Sequence, residues 1–210
     1  MNVALINASP KKTVSASAAF LDDLKYLFPV DHVIIKEFCI KKPSVTEADI
    51  MELQDFAVWV FAFPLYVDAV PSHLLSCLCQ IEEAAIASED IYVYAFVNCG
   101  FYEGYQACNA LEIMENWCLR AGLQWGMGIG FGGGPALIGS KNMPMGTGLK
   151  KSLGKACAVL VDAVLSHEKK ENIYTTVSIS KFLYKLTSEM RWKKAIKENG
   201  GKIRDLKKRL

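Results

Sequence analysis

The sequence predicts an α/β protein with a doubly wound parallel sheet, because apolar runs of strand length alternate with amphipathic helical patterns. Three runs, 33–35, 57–63 and 91–97, are nearly continuous in apolar residues, as expected of parallel strands covered on both faces. β–α repeats in this order predict right-handed crossovers. The strand candidates are 2–7, 32–38, 57–63, 91–98 and 123–131, and the helix candidates are 15–28, 46–54, 71–87, 103–121 and 149–167.

Local signals support the individual elements. The first strand stops in a polar turn, after which Phe20 and Leu24 recur at helical spacing. Pro71 suits the first turn of its helix. With 210 residues, 51% of them hydrophobic and 22% charged, the chain suits one α/β domain with an extension.

No feature of the sequence indicates a membrane span or a secretion signal. No apolar run approaches the roughly 18 residues of a transmembrane helix, and the start lacks the charged region of a signal peptide. We therefore expect a soluble cytoplasmic protein without stable membrane insertion.

The cysteines and histidines give no metal-binding pattern. The chain has seven cysteines without a CxxC pair, and its three histidines, His32, His73 and His167, lie far apart in sequence. This usage is typical of reduced, packed thiols rather than of a disulfide framework. We therefore expect no metal site, and a Ser–His triad has little support.

A basic C-terminal extension is predicted over 169–210, after a first domain of residues 1–168. Segment 166–178 has the composition of a linker, 179–198 has apolar residues at helical spacing, and 202–210 suits a last basic turn. Residues 181–210 hold eleven Lys/Arg and three Asp/Glu, a net charge of +8, whereas the first 180 residues carry −6. Such a segment attracts phosphorylated ligands, nucleic acid or membranes. We favour a solvated face for the charged residues, expect the apolar stripe to pack on its own domain or on a partner subunit, and expect no nucleic-acid partner.

Hydroxyl side chains surround the predicted start of the first helix. Ser9, Thr13, Ser15 and Ser17 follow the first strand, at a helix N-terminus whose free N–H groups and dipole favour phosphate. The alternative is an ordinary helix cap formed by Ser15.

Two further loops follow strands that should end at the same edge of the sheet. The loop 63–72 contains two prolines and Tyr66, and the loop 98–106 contains Gly100 and several aromatic residues. Ligands of open parallel sheets bind beyond these carboxyl ends. A phosphate cradle beside flat apolar side chains suits FMN, although the aromatic residues could instead anchor the loops to the core.

The three loops resemble those of the flavodoxin-like NAD(P)H-dependent FMN reductase family. The resemblance covers about residues 1–165 and implies a three-layer α/β/α sandwich with a five-stranded parallel sheet of order 2-1-3-4-5 and a C-terminal helical appendage. It implies FMN, less readily FAD, with NAD(P)H as co-substrate, and a homodimer. The implied phosphate ligands are Ser9, Lys11, Ser15, Ala16 and Ser17, and the implied ring contacts are Pro64, Leu65, Tyr66, Val67, Asn98, Gly100, Tyr102 and Glu103.

A second glycine pattern is less informative. The residues 128–133 fit G-x-G-x-x-G after a strand, but no long helix opens at the third glycine, so the context of a dinucleotide site is missing. We interpret 132–148 as a flexible glycine-rich loop that shapes access to the ligand.

The predicted activity is hydride transfer from NAD(P)H through FMN to a small electron acceptor, such as a quinone, nitro compound, metal chelate or flavin. Tyr102 and Glu103 are candidates for proton delivery, although their polarity also suits an exposed loop. One alternative is a flavodoxin-type electron carrier, which the sequence pI of about 8.1 disfavours. The other is a flavin-free regulatory or phosphate-binding module of the same fold.

Overall fold

Strands and helices alternate along the chain in a computed structural model that describes residues 1–86 and 90–204. The strands are β1 (Asn2–Asn7), β2 (Ile34–Cys39), β3 (Val58–Pro64), β4 (Tyr92–Cys99), β5 (Gln124–Gly132) and β6 (Ile173–Thr176). The helices are α1 (Ala16–Lys25), α2 (Glu47–Leu53), α3 (Ser72–Glu83), α4 (Cys108–Ala121), α5 (Pro135–Gly139), α6 (Lys151–Ser166) and α7 (Lys181–Glu198), with 3-10 turns at Gly104–Ala107 and Gly148–Lys150.

All six strands lie in one parallel sheet of order β2-β1-β3-β4-β5-β6. The predicted order 2-1-3-4-5 is therefore confirmed, and the sheet has one strand more than predicted. The extra strand, β6, pairs Ile173–Thr176 with Ile129–Gly132 of β5. Segment 166–178 was expected to be a linker, and this expectation is wrong because four of its residues extend the sheet. The sequence pattern of β6 is weak because the strand is short and only half-buried.

Helices cover both faces of the sheet and make the predicted three-layer sandwich. On one face Phe20 of α1 stacks on Phe96 of β4, with ring centroids 3.6 Å apart and planes 3° from parallel. On the other face the buried Trp59 of β3 donates its indole N–H to the Leu53 carbonyl at 2.9 Å. The two central strands β3 and β4 are almost fully buried, which accounts for their continuous apolar sequence.

A buried ion pair fixes the chain that follows β5. Helix α5 packs beside α1, and the segment then returns to a 3-10 turn that ends at Lys150. The fully buried Lys150 ammonium lies 2.6 Å from a carboxylate oxygen of Asp23 on α1. Breaking such a pair leaves an unpaired charge in the interior. The ion pair therefore fixes the position of the 3-10 turn relative to α1.

The chain divides into two compact units, Met1–Ser178 and Ile179–Leu210. The second unit contains α7, where the sequence predicts a helix over 179–198. Residues 205–210 of the predicted last basic turn lie outside the described residues, as does residue 87 of the predicted third helix. Within the described ranges, no helix has the length and apolar character needed to cross a bilayer.

Candidate functional site

The turn between β1 and α1 places its hydroxyl groups at the helix N-terminus. Ser15 is the N-cap of α1, and its Oγ accepts the Ala18 N–H at 3.1 Å. Upstream, the Asn7 side chain accepts the Ser9 N–H at 3.1 Å. Ser15 therefore has the ordinary capping role, and the first N–H groups of α1, at Ala16 and Ser17, remain directed out of the helix end.

The Ser9 hydroxyl is buried without a hydrogen-bond partner. Ser9 is 1% exposed, and its Oγ has no partner within the part of the chain that the structure describes. A buried hydroxyl left in this way costs about 1–3 kcal/mol, so partnerless groups are uncommon in native structures. Its place in the turn that leads into α1, close in sequence to the exposed Lys11, suits an anionic ligand that supplies the missing acceptor.

The loop after β3 forms a strained two-residue turn. Tyr66 and Ala69 exchange two backbone hydrogen bonds of 3.1 Å, and between them Val67 and Asp68 have φ values of 49° and 56°. A β-branched residue rarely adopts this left-handed region. Val67 is also 97% exposed, so its own contacts do not explain the strain. Strained turns of this kind concentrate at ligand sites.

Asn98 joins the three predicted loops. From the end of β4, its Nδ2 donates to Ser17 Oγ at 2.9 Å and to the Phe63 carbonyl at 3.1 Å. The Asn98 carbonyl also accepts the Leu65 N–H at 2.8 Å. The structure thus brings residues of all three loops to one edge of the sheet. Asn98 is buried and holds the loops together, a role that the sequence alone did not indicate.

Glycines at the end of β5 hold the loop after β4. The N–H of Gly133 donates to the Phe101 carbonyl at 2.7 Å, and that of Gly134 donates to the Cys99 carbonyl at 2.8 Å. A Cβ on Gly132 would lie 1.9 Å from the Tyr102 carbonyl oxygen. At Gly132 the glycine pattern therefore serves close packing of backbone on backbone. The prediction that 132–148 is a flexible loop is wrong in part, because the segment contains the helix α5.

The outer surface of the loops carries aromatic side chains. Tyr66 and Phe101 are exposed, and Tyr102 is half-buried beside the exposed Glu103. Gly100 is exposed with open space where a Cβ would stand, so a planar ligand could approach its backbone closely. The neighbouring Cys99 is buried, and burial raises the pKa of its thiol, which keeps it protonated and a poor nucleophile near pH 7.

His73 is a further residue of this edge, to which no pattern in the sequence assigned a role. It lies in the first turn of α3, and its Nε2 is 3.2 Å from the Ala8 carbonyl oxygen. Because the carbonyl can only accept, Nε2 carries the proton in this contact. His73 thus ties the loop after β3 to the turn that contains Ser9. The signal available in the sequence was its position two residues after Pro71.

The predicted site residues fall into two groups. One group is buried and includes the contact of Asn98 with Ser17 that joins the loops, and the other group faces solvent at the edge of the sheet. The first comprises Ser9, Ser15, Ala16, Ser17 and Asn98, and the second comprises Lys11, Tyr66, Val67, Gly100 and Glu103, with Pro64, Leu65 and Tyr102 partly covered between them.

Comparison with known proteins supports the fold. Scans of family models and of curated proteins found no match to the sequence. Among solved structures, an NADH:FMN oxidoreductase in its apo form is 11% identical with a TM-score of 0.53, and the match covers 79% of this chain and 87% of that one. An NAD(P)H:quinone oxidoreductase from Methanothermobacter marburgensis is 13% identical with a TM-score of 0.51, over 67% and 92% of the two chains.

An azoreductase from Bacillus anthracis str. Sterne matches at 14% identity and a TM-score of 0.50, over 77% of this chain and all of its own. Identities this low establish the fold alone. The chain is therefore a flavodoxin-like α/β protein, with three joined loops at the carboxyl edge of its sheet.

Proposed function

We propose that this chain is an FMN-dependent oxidoreductase that takes hydride from NAD(P)H and passes electrons to a small acceptor. The observation that carries the proposal is the buried, partnerless Ser9 hydroxyl in the turn between β1 and α1. Three solved structures of the same fold are named as an NADH:FMN oxidoreductase, an azoreductase and an NAD(P)H:quinone oxidoreductase, which favours a flavin as the ligand.

The residues present fit this cofactor. The Ser9 hydroxyl, the N–H groups of Ala16 and Ser17, and the Lys11 ammonium would hold the phosphate. Tyr66 and the open backbone at Gly100 would border the ring. A bound flavin supplies two-electron chemistry between the nicotinamide and the acceptor.

The chain itself contributes position and surroundings to this chemistry. Asn98 and His73 hold the loops at fixed positions before the ligand arrives, so little of the binding energy is used to order them. Exposed aromatic groups at Tyr66 and Phe101 offer apolar surface to a planar nicotinamide or acceptor. Tyr102 and Glu103 lie at the same edge as candidates for proton delivery.

The first test is the absorption spectrum of the purified protein, followed by anaerobic mixing with NADPH and with NADH. We expect a flavin spectrum whose visible band bleaches with one or both nucleotides. A flavin band that persists with both would exclude a reductase and favour an electron carrier. A colourless protein that fails to bind added FMN would favour the flavin-free module.

A charge substitution tests the placement of the phosphate. Ser9→Asp adds a negative charge at the proposed phosphate position and should abolish FMN binding. Ser44→Asp adds the same charge on an exposed loop and should leave FMN affinity unchanged. Equal FMN affinity of the two variants would refute the assignment of the first loop.

A further inference from the structure

The second compact unit contains a helix with defined ends and without a buried residue. Helix α7 begins after Ser180, whose Oγ accepts the Leu183 N–H at 3.2 Å. It ends at Asn199, where Gly200 has a φ of 75° and Gly201 donates to the Ile196 carbonyl at 2.9 Å. Caps at both ends show that the sequence specifies this helix, although none of its side chains enters a core.

Apolar side chains form an exposed stripe on the first three turns of α7. Phe182, Leu183, Leu186 and Met190 follow helical spacing, and all four are exposed, Phe182 by 77%. Trp192, which is 72% exposed, lies off this stripe, about 200° round the helix from Met190. Exposed apolar clusters of this kind mark a surface that binds something.

The charge of the second unit indicates what it binds. Residues 181–210 carry a net charge of +8, from eleven basic and three acidic residues. The described ion pairs within α7, Lys193 with Glu189 at 4.0 Å and Lys194 with Glu198 at 3.6 Å, are exposed and neutralise little of this charge. A surface that complements the unit is therefore strongly anionic.

Two lysines favour a lipid surface over a protein groove as the partner of α7. Lys193 and Lys197 lie seven residues after Leu186 and Met190, so they continue the apolar stripe along the same side of the helix. In a protein groove their ammonium groups would lose hydration. At a bilayer surface their long side chains can reach headgroup phosphates while their methylene groups contact the acyl region.

We propose that α7 is a peripheral membrane anchor, which lies in the interface of bilayers that contain acidic phospholipids. Phe182, Leu186 and Met190 enter the acyl boundary. The lysines and arginines bind lipid phosphates. Attachment of this kind is reversible, since one amphipathic helix holds the protein at the surface.

Vesicle sedimentation of the full-length protein tests this proposal. The protein should sediment with vesicles of equimolar phosphatidylglycerol and phosphatidylcholine at low salt, and remain in solution with pure phosphatidylcholine. About 1 M salt, which shortens the screening length to about 3 Å, should release it. Retention on both vesicle types, or on neither, would overturn the proposal.

Substitutions locate the binding to α7. Lys193→Gln with Lys197→Gln should weaken vesicle binding about 30-fold, since each cation near the surface contributes about fivefold. Leu186→Glu should abolish vesicle binding, whereas Leu119→Glu, at an exposed leucine on α4 of the first unit, should preserve it. Equal effects of the two leucine substitutions would overturn the assignment.

Tryptophan emission gives an independent measurement. Trp59, Trp117 and Trp125 are buried in the first unit, and Trp192 lies off the stripe, so Met190→Trp combined with Trp192→Phe places one reporter indole on the stripe. Its emission should shift to shorter wavelength on anionic vesicles. An unchanged emission of this double variant would contradict insertion.

The same experiments also test two other partners for α7. A dimer that becomes monomeric with Leu186→Glu would assign the stripe to a second copy of the chain. Tighter binding to duplex DNA than to anionic vesicles would assign the charge to nucleic acid. Either result would overturn the lipid proposal and would leave the proposed flavin chemistry unaffected, because FMN titration measures that separately.

Discussion

Asn98 at the end of β4 donates a hydrogen bond of 2.9 Å to Ser17 in the first turn of α1, across 81 positions of sequence. The same amide nitrogen also reaches the Phe63 carbonyl at the end of β3. One buried side chain therefore connects three loops that the fold brings to the same edge of the sheet. The geometry of the candidate site depends on this contact.

We expect Asn98→Ala to lower both stability and FMN affinity. The substitution leaves the buried Phe63 carbonyl and Ser17 hydroxyl without a donor, which should cost about 1–3 kcal/mol in the free energy of unfolding. Urea denaturation and FMN titration measure the two effects. Asn109→Ala, at an exposed position on α4, is the control and should change neither. An Asn98→Ala protein that binds FMN with unchanged affinity would show that the loops are held by other contacts.

Ser9→Ala should separate stability from ligand binding. Without ligand, loss of a partnerless buried hydroxyl should leave the free energy of unfolding unchanged or higher. FMN affinity should fall about tenfold, as expected for loss of a hydrogen bond to a charged group. Ser15→Ala removes the N-cap of α1 and should instead destabilise the apo protein by about 1 kcal/mol. A Ser9→Ala protein that is itself destabilised would point to a structural partner for the hydroxyl.

Val67→Gly should stabilise the protein. The φ of 49° at Val67 is strained for a β-branched residue and free of strain for glycine. Because Val67 is almost fully exposed, few contacts are lost, and we expect a gain of about 1 kcal/mol despite the greater entropy of the unfolded chain. Thermal unfolding measures the gain. Val30→Gly, at an exposed position without a positive φ, should be neutral or destabilising, and the same result for both variants would exclude strain as the cause.

Gly132→Ala should disrupt the loop after β4. Its Cβ would stand 1.9 Å from the Tyr102 carbonyl oxygen, and backbone on both sides must shift to relieve the clash. We expect a loss of at least about 3 kcal/mol and weaker FMN binding. Gly139→Ala meets open space and should change stability by no more than about 0.5 kcal/mol. Similar melting temperatures for the two variants would contradict the close packing.

Alkaline conditions should destabilise the protein through its buried thiols. Burial raises the pKa of Cys157 from 9.0 to about 12, and it also raises the pKa of Cys118. Between pH 9 and the higher folded-state values, the unfolded chain releases thiol protons that the folded chain retains, so stability falls as pH rises. Urea midpoints between pH 8 and 11 measure the slope. Cys157→Ala with Cys118→Ala should reduce this slope, and a slope equal to the wild type would exclude the thiols as its source.

The strand order was predictable because each central strand is continuously apolar. β3 and β4 are buried on both faces, and in a chain of alternating strands and helices this pattern is typical of the middle of a parallel sheet. β6 was not predictable in the same way. Its four residues are half-buried and follow a charged segment, and they become a strand only because β5 offers an unpaired edge.

The candidate site was also predictable only in part. The hydroxyl-rich turn was visible in the sequence because a helix start has a local pattern. The roles of Asn98 and His73 were not visible, since their partners lie 81 and 65 positions away. The glycines of β5 resembled a nucleotide motif, and only their contact with the Tyr102 carbonyl shows that they permit close packing.

β6 also protects the molecule from self-association. Without it, the outer edge of the glycine-bearing β5 would present a row of free amide and carbonyl groups to other chains. At the opposite border of the sheet, β2 carries Lys36 and Glu37, which engage in surface ion pairs with Glu52 and Lys25. Charge at one border and a short covering strand at the other therefore oppose aggregation by edge-to-edge strand pairing.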